Sequence, residues 1–137
     1  FENETNTISR RYKDYITLLI MKIIVTRFEQ GEKPITQQEL ADDYNIPIRL
    51  VNQLLKLLVE VHLLSEIYTD SNQEKSYQPA MDIHQMTIQL VFDKISTFGS
   101  ENFKVNPKKE FDGMWEQLEQ FRLKTVNHSS DLLIKDL

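Results

Sequence analysis

At 137 residues, with no cysteine and a formal net charge of −5, the chain suits one domain with a sizeable core. The missing cysteines exclude disulfides, thiolate zinc sites, cysteine-ligated iron–sulfur clusters and cysteine nucleophiles. Three glycines and four prolines argue for long helices over a loop-rich enzyme, and the acidic balance is the reverse of a nucleic-acid-binding footprint.

The most apolar run, residues 16–25, contains Thr17 and Lys22. It falls short of the roughly 20 apolar residues that span a bilayer, so it reads as a buried helix. The chain opens at Phe1 on a polar stretch without a leader pattern, and the expectation is a domain cut from the end of a larger protein.

Residues 1–8 are expected to fray. From 9 to 30, Tyr12, Tyr15, Ile16, Leu19, Ile20, Ile23 and Ile24 recur at three and four, the spacing of an amphipathic helix. Gly31 stops that helix and Pro34 follows. Thr36-Gln-Gln-Glu39 is a capping box opening a short helix to about Tyr44, which Asn45 ends in the left-handed conformation. Pro47 takes the first position of a third helix. Leu50, Val51, Leu54, Leu55, Leu58 and Val61 form its apolar face, and Arg49, Asn52, Gln53, Lys56 and Glu60 its polar one.

Residues 64–69 alternate, 70–75 form a polar turn and 76–79 are extended, which reads as a hairpin. Thr87 caps a fourth helix to about Phe98, with Ile88, Val91, Phe92 and Ile95 inward. After a loop over 99–106, a fifth helix is expected over 108–127. Phe111, Met114, Trp115, Leu118 and Phe121 lie on one face, Arg122 lies beside them, and Gly113 weakens the pattern. The tail from 129 to 137 adds a last short turn.

Residues 36–61 fit a helix-turn-helix. Ala41 is the small residue where two helices cross, Asn45 tolerates positive φ four positions later, and Val51 packs the second helix on the first. Leu40, Tyr44, Ile46 and Leu54 fill the other apolar slots. With the hairpin behind it the unit is winged. The fold class read from the sequence is mainly α: a winged helix-turn-helix with an added N-terminal helix and a long C-terminal helix. Its parts are a juxtamembrane segment over 1–8, the winged helix over 9–98 and a helical extension over 99–137.

If this unit read DNA, Arg49, Asn52, Gln53 and Lys56 would face the major groove. Against that, residues 36–80 hold three basic and seven acidic side chains, a local charge of −4, where phosphate contacts need cations. The alternative is a solvated face of a packing helix. His62, His84 and His128 sit on three separate elements without an i,i+4 partner, so no metal site is expected. Glu39, Asp42 and Asp43 suit a helix start and its solvated face better than catalysis. No phosphate loop or nucleophile elbow is present. No cofactor and no catalytic residue is expected. Phe111, Trp115, Leu118 and Phe121 suit a core or dimer contact. Arg10, Arg11 and Lys13 form a basic cluster that fits a solvated helix entrance or the cytoplasmic side of a preceding membrane span.

Two resemblances follow. Pro34-Ile-Thr-Gln-Gln-Glu-Leu-Ala41, Ile46-Pro-Ile-Arg-Leu-Val51, Leu63-Leu64, Tyr77-Gln-Pro-Ala80 and Met86-Thr-Ile88, with Ser9-Arg-Arg-Tyr12 ahead of them, resemble the cytoplasmic C-terminal extension of the YihY/BrkB family. These are polytopic inner-membrane proteins that often carry a "ribonuclease BN-like" label. The helix-turn-helix, the wing, Thr87-Ile88 and the helix around Met114-Trp115 to Leu118 are also similar to the IscR/NsrR-type winged-helix repressors. There the long final helix mediates dimerisation; the cluster cysteines are missing here.

The first resemblance implies a non-catalytic regulatory or protein-interaction domain on the cytoplasmic side of an inner membrane. Its expected partners are the membrane, through upstream spans, and an unidentified protein, with nucleic acid disfavoured. The second implies a dimeric DNA-binding transcription regulator. Nothing in the residues supports the ribonuclease label.

Overall fold

The computed structural model describes residues 7–68, 74–125 and 132–137. Helix α1 (Arg10–Glu29) begins where the Ser9 hydroxyl accepts from the Tyr12 amide. It buries Ile16, Thr17, Ile20, Met21, Ile23, Ile24 and Val25; of the expected stripe, Ile16, Ile20, Ile23 and Ile24 are in the core, Leu19 is half-buried, and Tyr12 and Tyr15 stay exposed. Thr17 is tolerated in the core because its hydroxyl donates to the Lys13 carbonyl, 2.7 Å away. Gly31, at φ +69, ends the helix, and Glu32 N–H closes back on the Arg27 carbonyl.

Strand β1 (Ile35–Thr36) leads into α2 (Gln37–Tyr44), which turns at Asn45 into α3 (Ile48–Glu60). The hairpin of β2 (Leu64–Tyr68) and β3 (Lys75–Pro79) follows, then α4 (Ile88–Ser96) and α5 (Met114–Thr125). All pairing is antiparallel in the order β1-β3-β2, with Ile35 opposite Tyr77 and Leu64 opposite Pro79. The core joins α1, the apolar faces of α2 and α3, the base of the hairpin, Met86 and Val91. Among the described residues no buried side-chain nitrogen or oxygen lacks a hydrogen-bond partner. The fold is mainly helical and winged, as the sequence reading has it.

Several details differ from that reading. Pro47 flanks α3 and helical geometry starts at Ile48. Strand β1 was not anticipated: two residues carry no alternating pattern, and only β3 gives them partners. Helix α3 ends without glycine, His62 taking φ +65 while Leu63 N–H bonds the Leu58 carbonyl. Histidine is one of the few residues enriched there. Helix α4 stops at Ser96. The fifth helix is broken at its start: Lys109–Phe111 form a 3-10 turn, Gly113 sits at φ +87, and regular helix begins at Met114.

The aromatic face of α5 is exposed, where the sequence left core and dimer contact open. The Arg122 guanidinium bonds the Ser96 hydroxyl of α4 and, at 3.3 Å, Glu119. The short final turn, Ile134–Asp136, is present and packs on α1. Most of the expected 70–75 turn, His128 and the end of the expected fifth helix lie outside the described residues.

Candidate nucleic-acid interface

The site begins with the capping box. The Thr36 hydroxyl accepts from Glu39 N–H at 3.1 Å, and the Glu39 carboxylate accepts from Thr36 N–H at 3.0 Å. Two orphan amides are satisfied, and the start of α2 is fixed against β1. The Thr36 amide, chiefly, holds the Glu39 carboxyl below the usual glutamate range. A depressed folded-state pKa contributes stability above the unfolded value and loses it as pH falls through the folded one. Thermal unfolding followed from neutral pH to below that range is therefore expected to show a drop that flattens in Glu39→Gln. Thr36→Ala is expected to cost about 1 kcal/mol at neutral pH.

Ala41 is buried at the crossing of α2 and α3, and Asn45 stands at φ 54, ψ 46, the left-handed conformation that redirects the chain. Leu50, Val51, Leu54, Leu55 and Leu58 bury one side of α3. The opposite side is thereby forced outward: Arg49, Asn52, Gln53 and Lys56 are all exposed, with Ile48 at its leading end. The four sequence-derived residues thus share one accessible face. The carboxamides of Asn52 and Gln53 make no hydrogen bond among the described residues.

The negative charge of the segment is distributed unevenly. Glu39, Asp42 and Asp43 are exposed on α2, whereas α3 has no acidic side chain before its last residue, Glu60. A charge summed over 45 residues of sequence does not distinguish α2, with three exposed carboxylates, from α3, whose exposed polar side chains before Glu60 are Arg49, Asn52, Gln53 and Lys56. In the hairpin, Tyr77 is buried and its hydroxyl is pushed up to about 12, mainly by burial and then by Glu66. It stays neutral at physiological pH and serves packing.

His62 is exposed beyond α3, and His84 pairs with Asp82 at 3.0 Å. Its amide and ring hold the Asp82 carboxyl below the usual range. Among the described residues no group of three His, Asp or Glu side chains is placed to hold a metal ion.

The second feature is the arm. Residues 100–107 and the start of α5 line a cleft with Phe103, Val105, Phe111, Met114, Trp115 and Leu118. Trp115 is 58% exposed and Phe121 63%; the sequence-derived aromatic set is exposed, with Phe111 ahead of the Gly113 break and Trp115, Leu118 and Phe121 on α5. Leu123, off that stripe, is exposed as well.

Solved structures share the fold. The chain is similar to CymR (YrzC), the global cysteine regulator of B. subtilis, with 18% identity over 95% of this chain and 94% of that one, and a TM-score of 0.62. It is similar to T. potens IscR, at 16% identity over 95% and 84% of the two chains with a TM-score of 0.61. A third is Staphylococcus aureus CymR, at 14% identity over 91% and 93% with a TM-score of 0.61. The fold is that of the winged-helix regulators. No protein-family model matches the chain, and no curated protein does.

These likenesses correct the expectation of a YihY/BrkB-like membrane appendage, because the structures that share the fold nearly end to end are those of regulators. The inner-membrane placement falls with it; among the described residues no helix is long and apolar enough to cross a membrane. The reason lies in the residues that carried the resemblance. A capping box, a small crossing residue, a left-handed turn and a β-branched packer are requirements of any helix-turn-helix, so they specify packing and not lineage. Arg10, Arg11 and Lys13 lie in the first turn of α1 behind the Ser9 cap, and their juxtamembrane role is withdrawn.

Proposed function

We propose that this chain is a non-enzymatic, DNA-binding transcription regulator that works as a homodimer, with α3 as the reading helix and α5 as the dimer helix. The observation that carries the reading is the polar face of α3, Arg49, Asn52, Gln53 and Lys56, held outward by its buried opposite side. In a helix-turn-helix this is the face that enters the major groove. The regulators of the same fold support it.

Dimerisation follows from two arguments. The first is the apolar side of the arm: aromatic side chains that bury roughly 150–250 Å² each when covered stand exposed at Phe111, just ahead of α5, and at Trp115 and Phe121 on it. The second is electrostatic. One head with Arg49 and Lys56 on its reading face, and acidic side chains on α2, makes few phosphate contacts, and affinity follows their number. Two linked heads raise the affinity through effective concentration without any new contact.

The test is fluorescence anisotropy with duplexes recovered from a randomised pool. Arg49→Ala and Lys56→Ala are each expected to weaken binding. Where the side chain meets a phosphate, the slope of log K against log salt is expected to fall by about 0.9. Unchanged affinity and slope in both variants would overturn α3 as the reading helix.

A further inference from the structure

The reading helix has an apolar residue at its leading end. Ile48 is the first helical residue of α3 and is 38% exposed, although its four-carbon side chain gains nothing from water. One turn on, Asn52 lies on the same edge of the helix (i, i+4), exposed and with its carboxamide uncommitted among the described residues. At about 1.5 Å of rise per residue the two stand roughly 6 Å apart along the helix axis, close to two base-pair steps of about 3.4 Å. The buried residues Val51 and Leu55 bound this edge on the inner side, so neither side chain can turn into the core.

The chemistry of the edge is selective. A branched apolar side chain has one complementary group in the major groove, the C5-methyl of thymine, and a carboxamide pairs in two bonds with N6 and N7 of adenine. Nothing acidic lies on the first turns of α3 to accept from cytosine N4.

We infer that α3 reads an A·T-containing step in which Ile48 packs on a thymine methyl and Asn52 bonds an adenine within two base pairs of it. The inference rests on α3 being the reading helix, and it adds the base class that the helix selects.

The experiment uses the full chain and the duplexes that it recovers from a randomised pool. Each thymine is replaced singly by deoxyuracil, which removes the methyl and leaves base pairing intact. One thymine in each half-site is expected to lose about fourfold in affinity, the worth of one buried methyl group. Ile48→Ala is expected to bind the thymine and uracil duplexes equally. Asn52→Ala is expected to lose a roughly tenfold or greater preference for adenine at one nearby position, the loss of a two-bond contact.

Since both side chains are exposed, the variants should melt with the parent, which a thermal scan checks. Tight binding with no methyl-sensitive thymine, or an Ile48→Ala variant as uracil-sensitive as the parent, overturns the inference and leaves α3 as the reading helix. Failure to bind any duplex overturns both.

Discussion

Replacing Phe121 with glutamate is expected to leave the isolated chain as stable as before and to abolish its self-association. Phe121 is 63% exposed, and exposed substitutions away from caps and cores usually change stability by less than about 0.5 kcal/mol. A side chain that costs nothing to replace within its own chain, yet whose replacement splits an assembly, marks an interface. The apolar stripe repeats at Met114, Leu118 and Phe121 along one side of α5. A carboxylate centred in the facing stripe would be desolvated without a partner, at several kcal/mol. Sedimentation velocity should show the parent as a dimer at micromolar concentration and Phe121→Glu as a monomer with an unchanged circular dichroism spectrum. DNA affinity should fall by roughly a hundredfold, because linked heads lose their mutual effective concentration. A parent that is monomeric at high concentration, or a dimeric variant, would refute the role given to α5.

The second large effect is expected at Ile134. After the arm the chain returns to the core and is fastened there. Ile134 is fully buried, its N–H donates to the Met86 carbonyl at 2.9 Å, and Ile88 N–H donates to the Leu132 carbonyl at 3.0 Å. The Lys22 ammonium donates to the Lys135 carbonyl at 2.7 Å. Asp136 first, then Glu29, holds the Lys135 amine above its usual range. Residues 88 and 132 are thus bonded to each other, and the arm is an excursion closed at both ends.

Ile134→Asp forfeits a burial of about 3 kcal/mol and puts a carboxylate into the apolar core. The cheapest response is release of the final turn, so the loss of stability is bounded by the worth of that turn. A fall in unfolding temperature of roughly 10 °C is expected, with the amides of Ile88 and Ile134 losing protection from hydrogen exchange while those of α3 keep theirs. Protection retained at Ile88 would show that the turn does not close the arm.

These two expectations differ in how far the sequence reached them. The aromatic spacing of α5 was plain, but a 3.6-residue period states only that a helix has an apolar side. Whether that side meets its own core or another molecule depends on where the rest of the chain leaves it. Gly113 at φ +87 and the bond of Arg122 to Ser96 of α4 accompany an α5 whose stripe is exposed. Ile134 gave even less signal: it stands in a short tail beside Leu132 and Leu133, where no period is long enough to single out one buried residue, and its burial follows from packing on α1 and from the bond to the Met86 carbonyl.

What the sequence determined by itself is local. The capping box at Thr36 and Glu39, the left-handed Asn45, the stop at Gly31 and the apolar stripes of α1 and α3 rest on hydrogen bonds and burial within a few residues. The polar face of α3 was legible for the same reason: once Leu50, Val51, Leu54, Leu55 and Leu58 must be buried, Arg49, Asn52, Gln53 and Lys56 have nowhere else to point. The tertiary structure decided strand β1, the fastening of the tail and the exposure of the arm. Each depends on a partner far away in the chain, and neither a summed charge nor a local period carries information about that partner.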